Sequence, residues 1–248
     1  MKSITKLMVV AMLLAAALVV TPVAARTTAI TTNGTTVYVG EEDLNFSVTG
    51  VFAGATEFVH YTGEAGTSAI DERLSVDVEG NITEIRKGIP TGDYYARGPG
   101  QDGKTHYIIV KEPKLELDVV LNTSPKDSVA GKSVTRDTQL SFKLTDNVIG
   151  LTDTIDIKVT TPGGGTTTEF GGQTLSGKAP SGATRYYGAV DLTGAEAGTY
   201  TVQAKWPDTS DFYGKGFDSN TVTFEVSTKK LAITSDKDSV VRGKSFAV

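Results

Sequence analysis

Residues Asp191–Val202 read DLTGAEAGTYTV. Leu192 is followed by five small or polar residues, and Gly198-Thr199 then opens an alternation in which Tyr200, Val202, Ala204 and Trp206 are separated by Thr201, Gln203 and Lys205. A period of two is what a strand with one covered face requires, because successive side chains leave opposite sides of the backbone. The stretch therefore reads as the end of one strand, a corner containing glycine, and the start of the next. The same period runs outward in both directions. Leu115, Leu117, Val119 and Leu121 alternate with polar residues, as do Leu140, Phe142 and Leu144, then Ile155, Ile157 and Val159, then Tyr186, Val190 and Leu192, then Val222, Phe224 and Val226. A weaker strand is expected within 166–175. Turn residues separate the runs: Pro162-Gly163-Gly164-Gly165, Gly171-Gly172, Pro180-Ser181-Gly182 and Pro207-Asp208. About seven alternating strands within roughly a hundred residues predict an all-β fold of two facing sheets.

The corner makes this expectation more specific. DLTGAEAGTYTV resembles the corner before the penultimate strand of immunoglobulin-like domains, where a leucine, an acidic residue and Gly-x-Tyr precede a buried position. The resemblance implies that the Tyr200 hydroxyl bonds back to the backbone and fixes the corner. Val202 stands where antibody domains carry a core cysteine, and the chain has no cysteine, so the resemblance is to the disulfide-free branch. Earlier in the chain, Val37 and Val39, Leu44, Phe46 and Val48, Leu74, Val76 and Val78, and Tyr107 and Ile109 give a second set of alternating apolar positions, and IPTGDYYARG (89–98) echoes the Gly-x-Tyr corner. The expected organisation is an N-terminal β domain at 26–112 and an immunoglobulin-like sandwich at 113–228. The boundary is KEPKLEL (111–117), where Pro113 has no N–H to offer a central ladder.

SPKDSVAGKS (124–133) returns as SDKDSVVRGKS (235–245). A phosphate-binding loop needs a glycine five positions before the Gly-Lys-Ser, with a helix following. Lys126 and Asp238 occupy those positions, and TQLSFKL soon after Ser133 reads as a strand, so nucleotide is not expected as a partner. The copies are about 111 residues apart, the spacing of tandem modules. Residues 229–248 then read as the start of a truncated further repeat, or as a tail that pairs with a neighbour's sheet edge.

At the other end, Lys2 and Lys6 precede an uncharged apolar run, Leu7–Val20, and Pro22 and Val23-Ala24-Ala25 follow. The run is short for a bilayer core of about 30 Å, so residues 1–25 read as a signal peptide cleaved before Arg26, with a secreted, cell-surface product. Without Lys2 and Lys6 the chain carries 22 basic against 29 acidic side chains and no basic cluster, which argues against nucleic acid as a partner. His60 and His106 lie far apart with no cysteine, so no metal site or cofactor is expected. No nucleophile motif is present, and the adjacent Glu41 and Glu42 on a strand would face opposite ways, so no catalytic residues are assigned.

Two kinds of site remain. Asn33-Gly34-Thr35, Asn45-Phe46-Ser47 and Asn81-Ile82-Thr83 are glycosylation sequons at positions expected to face solvent, whereas the sequon at Asn122 is followed by Pro125. The segment WPDTSDFYGKGFDSN (206–220) joins the last two strands and mixes aromatics with carboxylates. Trp206, Asp208, Asp211, Tyr213 and Phe217 are the candidate ligand residues there, for a carbohydrate surface or calcium. The competing expectation is that these aromatics pack the loop onto the rim of the sandwich.

TTNGTTVYVGEEDLNFSVTG (31–50) and TEFVHYTG (56–63) resemble the N-terminal domain, of no assigned activity, of large surface proteins from methanogenic archaea. That resemblance implies a glycosylated surface-layer or sheath component that associates with itself or with other envelope proteins and has no enzymatic activity. It also implies a carboxyl-terminal membrane anchor, which this sequence lacks, in keeping with truncation. The alternative function is an adhesin or carbohydrate-binding module using the 206–220 loop. A third possibility, an accessory region of an envelope hydrolase, needs a catalytic domain beyond Val248.

Overall fold

A computed structural model describes residue 26, residues 28–46 and residues 49–228. The expected signal peptide, the repeat at 229–248, and Ser47 and Val48 lie outside the described residues. Among the described residues there is no helix, and all their regular structure is β-strand. The strands up to Lys111 are β1 (Thr35–Tyr38), β2 (Glu42–Asn45), β3 (Glu57–Tyr61), β4 (Ile70–Ser75), β5 (Asn81–Glu84), β6 (Gly92–Gly98) and β7 (Gln101–Lys111). After the linker Glu112-Pro113-Lys114 come β8 (Leu115–Leu121), β9 (Ser133–Thr135), β10 (Gln139–Asp146), β11 (Asp156–Thr160), β12 (Thr166–Thr167), β13 (Glu169–Phe170), β14 (Gln173–Thr174), β15 (Thr184–Asp191), β16 (Gly198–Lys205) and β17 (Thr221–Ser227).

The two halves are built to one plan. The first has a five-stranded sheet in the order β1-β7-β6-β3-β4 and the second a five-stranded sheet in the order β9-β17-β16-β11-β12. In each, the edge strand that opens the order runs parallel to its neighbour and the other pairings are antiparallel. Opposite these lie a two-stranded sheet, β2-β5, and a three-stranded sheet, β15-β10-β8. The extra strand β8 has a rudiment in the first half, where the Ile30 N–H donates to the Asn45 carbonyl at 2.7 Å alongside β2.

The shared plan reaches the corners. The Tyr94 hydroxyl donates to the Pro90 carbonyl at 2.8 Å, and the Tyr200 hydroxyl donates to the Glu196 carbonyl at 2.9 Å, each four residues back. The glycine two residues before each tyrosine has φ of 137° at Gly92 and 136° at Gly198, a conformation closed to most side chains. A Cβ at Gly198 would also come within 2.8 Å of Pro162. Behind each corner sits an aromatic core. Phe46, Phe52 and Phe58 meet with centroids 4.6–5.8 Å apart in the first half, and Tyr200 stacks on its cross-strand partner Phe224 at 5.3 Å in the second.

SPKDSVAGKS is a crossover between sheets. The Ser128 hydroxyl donates to Asp118 on β8 at 2.7 Å, the Val129 N–H donates to the Val119 carbonyl, the Gly131 N–H donates to Thr223 on β17, and Ser133 begins β9. The Asn220 side chain then bridges the same two sheets, accepting from the Leu117 N–H and donating to the Leu117 carbonyl, both at 2.9 Å.

The expected phase fails at three places and the expected continuity at a fourth. Tyr107 and Ile109 are half-buried on the outer face, and their neighbours Ile108 and Val110 are the core residues of β7. Val78 is 97 % exposed, at the tip of the turn that the Asp77 carboxylate holds by accepting from the Glu79 and Asn81 N–H groups. Tyr186 is exposed because a register irregularity between Leu140 and Ser141 shifts the pairing of β15, so that Tyr187 lies opposite Phe142. The single weak strand expected at 166–175 is three short pieces, β12 to β14, broken at Thr168 and at Gly171-Gly172.

Candidate functional site

The segment from Trp206 to Asn220 departs from β16 and returns to β17, so both ends are pinned by adjacent strands of one sheet. Three of its four aromatics point inward, and Tyr213 faces solvent. Trp206 and Phe212 are fully buried with centroids 4.7 Å apart, Phe217 meets Phe212 edge-on at 6.1 Å, and the Trp206 indole N–H donates to the Phe217 carbonyl at 3.1 Å. A buried indole needs such an acceptor, and here the loop supplies its own. Of the five candidate ligand residues, Trp206, Asp211 and Phe217 are buried, while Asp208 and Tyr213 face solvent. No aromatic platform flanked by free carboxylates is formed. Among the described residues no group of three or more histidine, aspartate or glutamate side chains is placed to hold a metal ion.

The loop turns toward the first half instead, and it builds a joint there. The Phe217 ring lies on Gly40, where a Cβ would come within 3.0 Å of it, and the Lys87 ammonium sits over the ring, 4.7 Å from its centroid. The Lys215 ammonium donates to the Gly40 carbonyl at 2.8 Å, to the Glu84 carboxylate at 3.0 Å, and to Glu42. The Glu42 N–H donates to the Asp211 carboxylate at 2.9 Å. Beside the loop, the Tyr38 hydroxyl donates to the Asn147 carbonyl at 2.8 Å and accepts from the Ile149 N–H at 3.0 Å. Arg26 reaches the Gly150 carbonyl at 3.4 Å while pairing with Glu41 at 3.1 Å. The linker is fastened as well, since the Asn147 amide donates to the Glu112 carbonyl and accepts from the Lys114 N–H.

Glu41, Asp146, Asp153 and Asp211 are carboxylates buried in or beside this joint. Glu41 is wholly buried and accepts from the Tyr38 N–H as well as from Arg26. Burial pushes its pKa up to about 7, against the opposing effect of the Arg26 guanidinium, and the nearby Asp211 adds to the rise. Asp153 accepts from the Ser210 hydroxyl at 2.7 Å, and burial raises it to about 6, again with Asp211 contributing. Burial works against the Lys215 ammonium, but its bonds to Glu42 and Glu84 prevail and raise its pKa. Glu41 and Glu42 therefore do different work: one is a buried ion-pair partner, the other a surface acceptor for Lys215.

The sequons are placed differently. Asn33 and Asn45 are exposed and Asn81 is half-buried. The two histidines each have a polar neighbour, His60 with Asp71 at 2.7 Å and His106 with Gln101 at 3.0 Å, and they do not meet each other.

A family model described as "Domain of unknown function (DUF3821)" matches residues 33–230. Among solved structures, one titled as a tetra-tandem repeat in the extending region of a large adhesion protein is similar at 17 % identity and a TM-score of 0.24. The alignment covers 69 % of this chain and 41 % of that one, so the chain spans about two fifths of that structure's length. No curated protein matches the chain.

Proposed function

The chain belongs to the DUF3821 family, and from that premise we propose that it is an exported structural component of a cell envelope, working as two immunoglobulin-like modules locked into one spacer. The reading takes residues 1–25 as a signal peptide and assigns the mature protein to the cell surface, in a surface layer or sheath of the methanogen type. It acts by contact with itself or with other envelope proteins and has no catalytic role.

The observation that carries the reading is the use made of the 206–220 loop. In sandwiches of this kind the loop between the last two strands can serve as a binding loop, but here Phe217 and Lys215 are engaged by the neighbouring half, with Phe212 and Trp206 packed in line behind Phe217. Domain contacts within a chain normally permit motion unless they are extensive and well packed. A joint holding a buried ion pair, a stacked aromatic and a lysine with three acceptors resists bending, which suits a load-bearing spacer more than a ligand trap. The common strand order and the two tyrosine corners support the immunoglobulin-like assignment of both halves.

The test is to raise antibody against residues 26–228, label intact source cells by immunogold electron microscopy, and sequence the mature N-terminus. Surface label and an N-terminus at Arg26 are expected. Label confined to the cytoplasm, or an uncleaved leader, would overturn the proposal.

A further inference from the structure

Of the three sequons expected to carry sugar, two are not independent. Asn45 on β2 and Asn81 on β5 are register partners in the antiparallel pair, and the Asn45 Nδ2 donates to the Asn81 Oδ1 at 2.8 Å. Directly opposed side chains in such a pair have Cβ atoms only about 5 Å apart. A sugar on each amide nitrogen would have to occupy the space now spanned by one hydrogen bond.

The two asparagines differ in what modification would cost. The Asn81 Oδ1 is the acceptor, and its Nδ2 donates to none of the described residues. Sugar on that nitrogen leaves the bond from Asn45 intact. The Asn45 nitrogen is the donor of the bond, so a sugar there would replace one of its two N–H groups and crowd the face on which it meets Asn81. Asn33 is committed at both ends of its amide, with Nδ2 donating to the Thr105 carbonyl at 3.3 Å and Oδ1 accepting from the Tyr107 N–H at 2.7 Å. Asn81 also stands at the root of a protruding turn, where its N–H donates to the Asp77 carboxylate at 2.8 Å, and Thr83, two residues on, is exposed. Because strand side chains alternate, Asn81 and Thr83 share the outer face while Ile82 is buried between them.

We infer that Asn81 is the glycan-bearing residue of this pair, that Asn45 stays unmodified as its hydrogen-bond partner, and that the two are never occupied on the same molecule. The inference rests on the reading of the chain as an exported surface protein. The donor is a sugar joined through its anomeric carbon to a phosphate carrier. The bond from that carbon to the phosphate oxygen breaks, a bond to the Asn81 Nδ2 forms, one amide proton passes to a base, and the phosphate carrier leaves with the electron pair.

The experiment is glycopeptide mass spectrometry on the protein from its native envelope, for wild type, Asn45→Gln and Asn81→Gln, with circular dichroism to confirm that each variant keeps its β spectrum. The expected result is a glycan on the peptide containing Asn81 and none on that containing Asn45, in wild type. Asn45→Gln is expected to leave the Asn81 glycan in place, and Asn81→Gln to clear the pair. Glycan on Asn45, on both residues of one molecule, or on Asn33 with the pair bare would overturn the inference while leaving the surface reading intact. A chain without sugar at any sequon would overturn the inference, and surface labelling then reports separately on the surface reading.

Discussion

The Glu42 backbone N–H donates to the Asp211 carboxylate at 2.9 Å, joining residues 169 positions apart and bringing a buried carboxylate from the second half within the field of Glu41 in the first. The cluster comprises Glu41, Asp211 and Asp153, with Arg26 and Lys215 as the nearby cations and Glu42 and Glu84 as the outer acids. Glu41 at about 7 and Asp153 at about 6 lie above their unfolded values of about 4.3 and 3.9. Their protonated forms therefore favour the folded state. That contribution is complete below about pH 4 and is lost as pH rises through 6 to 7. Urea unfolding of the chain from Arg26 should show lower stability at pH 8 than at pH 5. Glu41 accounts for roughly 3 kcal/mol of the difference, and Glu41→Gln should flatten most of it. Stability that rises from pH 5 to pH 8 would refute the assignment.

Lys215 reaches from the second half to three acceptors in the first, so its removal tests whether the halves move as one. Lys215→Met keeps much of the apolar stem and deletes the three donor bonds to Gly40, Glu42 and Glu84. Small-angle scattering should show a broader distance distribution and a larger maximum dimension for the variant, with each half still folded. The loss of stability should be modest, about 1–2 kcal/mol, because the partner carboxylates are partly exposed and regain water. An unchanged scattering curve would mean that the aromatic contacts hold the joint without the lysine.

The two corners offer a test of the shared plan. Tyr94→Phe and Tyr200→Phe each delete one hydroxyl bond to a carbonyl four residues back while keeping the ring. Each should cost about 1 kcal/mol in chemical denaturation, with the residual carbonyl reaching solvent. The two tyrosines lie in different sheets and share no hydrogen-bond partner, so the double variant should lose the sum to within about half a kcal/mol. A cost at Tyr200 without one at Tyr94 would show that the corner in the first half is an accident of sequence.

The corner around Tyr200 was readable because everything that shapes it is local: the glycine that must adopt positive φ, the ring that starts the alternation, and the carbonyl it reaches all lie within five residues. The phase of β7 was not, because Tyr107, Ile108, Ile109 and Val110 are all apolar and alternation cannot choose a face in an unbroken run. Tyr95 packs against Tyr107 at 5.5 Å on the outside of the sheet, which gives those outer positions a use that no hydropathy pattern announces. The joint was hidden for a different reason. Gly40, Glu42 and Glu84 look like ordinary turn and strand residues, and only the fold brings Lys215 to them. The aromatics and carboxylates of 206–220 were noticed as a group. A binding surface and a packed joint share that composition, however, and burial alone separates them.

Substitutions within that loop should therefore divide by burial and not by chemistry. Trp206→Ala empties a fully buried site, removes the bond to the Phe217 carbonyl and strips Phe212 of one of its two aromatic neighbours, so a loss of about 3–5 kcal/mol is expected. Tyr213→Ala, at a position 58 % exposed, should change stability by no more than about 0.5 kcal/mol. If a glycan array detects sugar binding by the wild type, loss of signal in Trp206→Ala would follow from damage to the joint and would say nothing of contact. Tyr213→Ala is the informative variant, since it alters the exposed aromatic and leaves the scaffold whole. Loss of a specific sugar signal in Tyr213→Ala, with the unfolding midpoint unchanged, would make the loop a binding element after all, and an equal signal in both proteins would leave it a structural one.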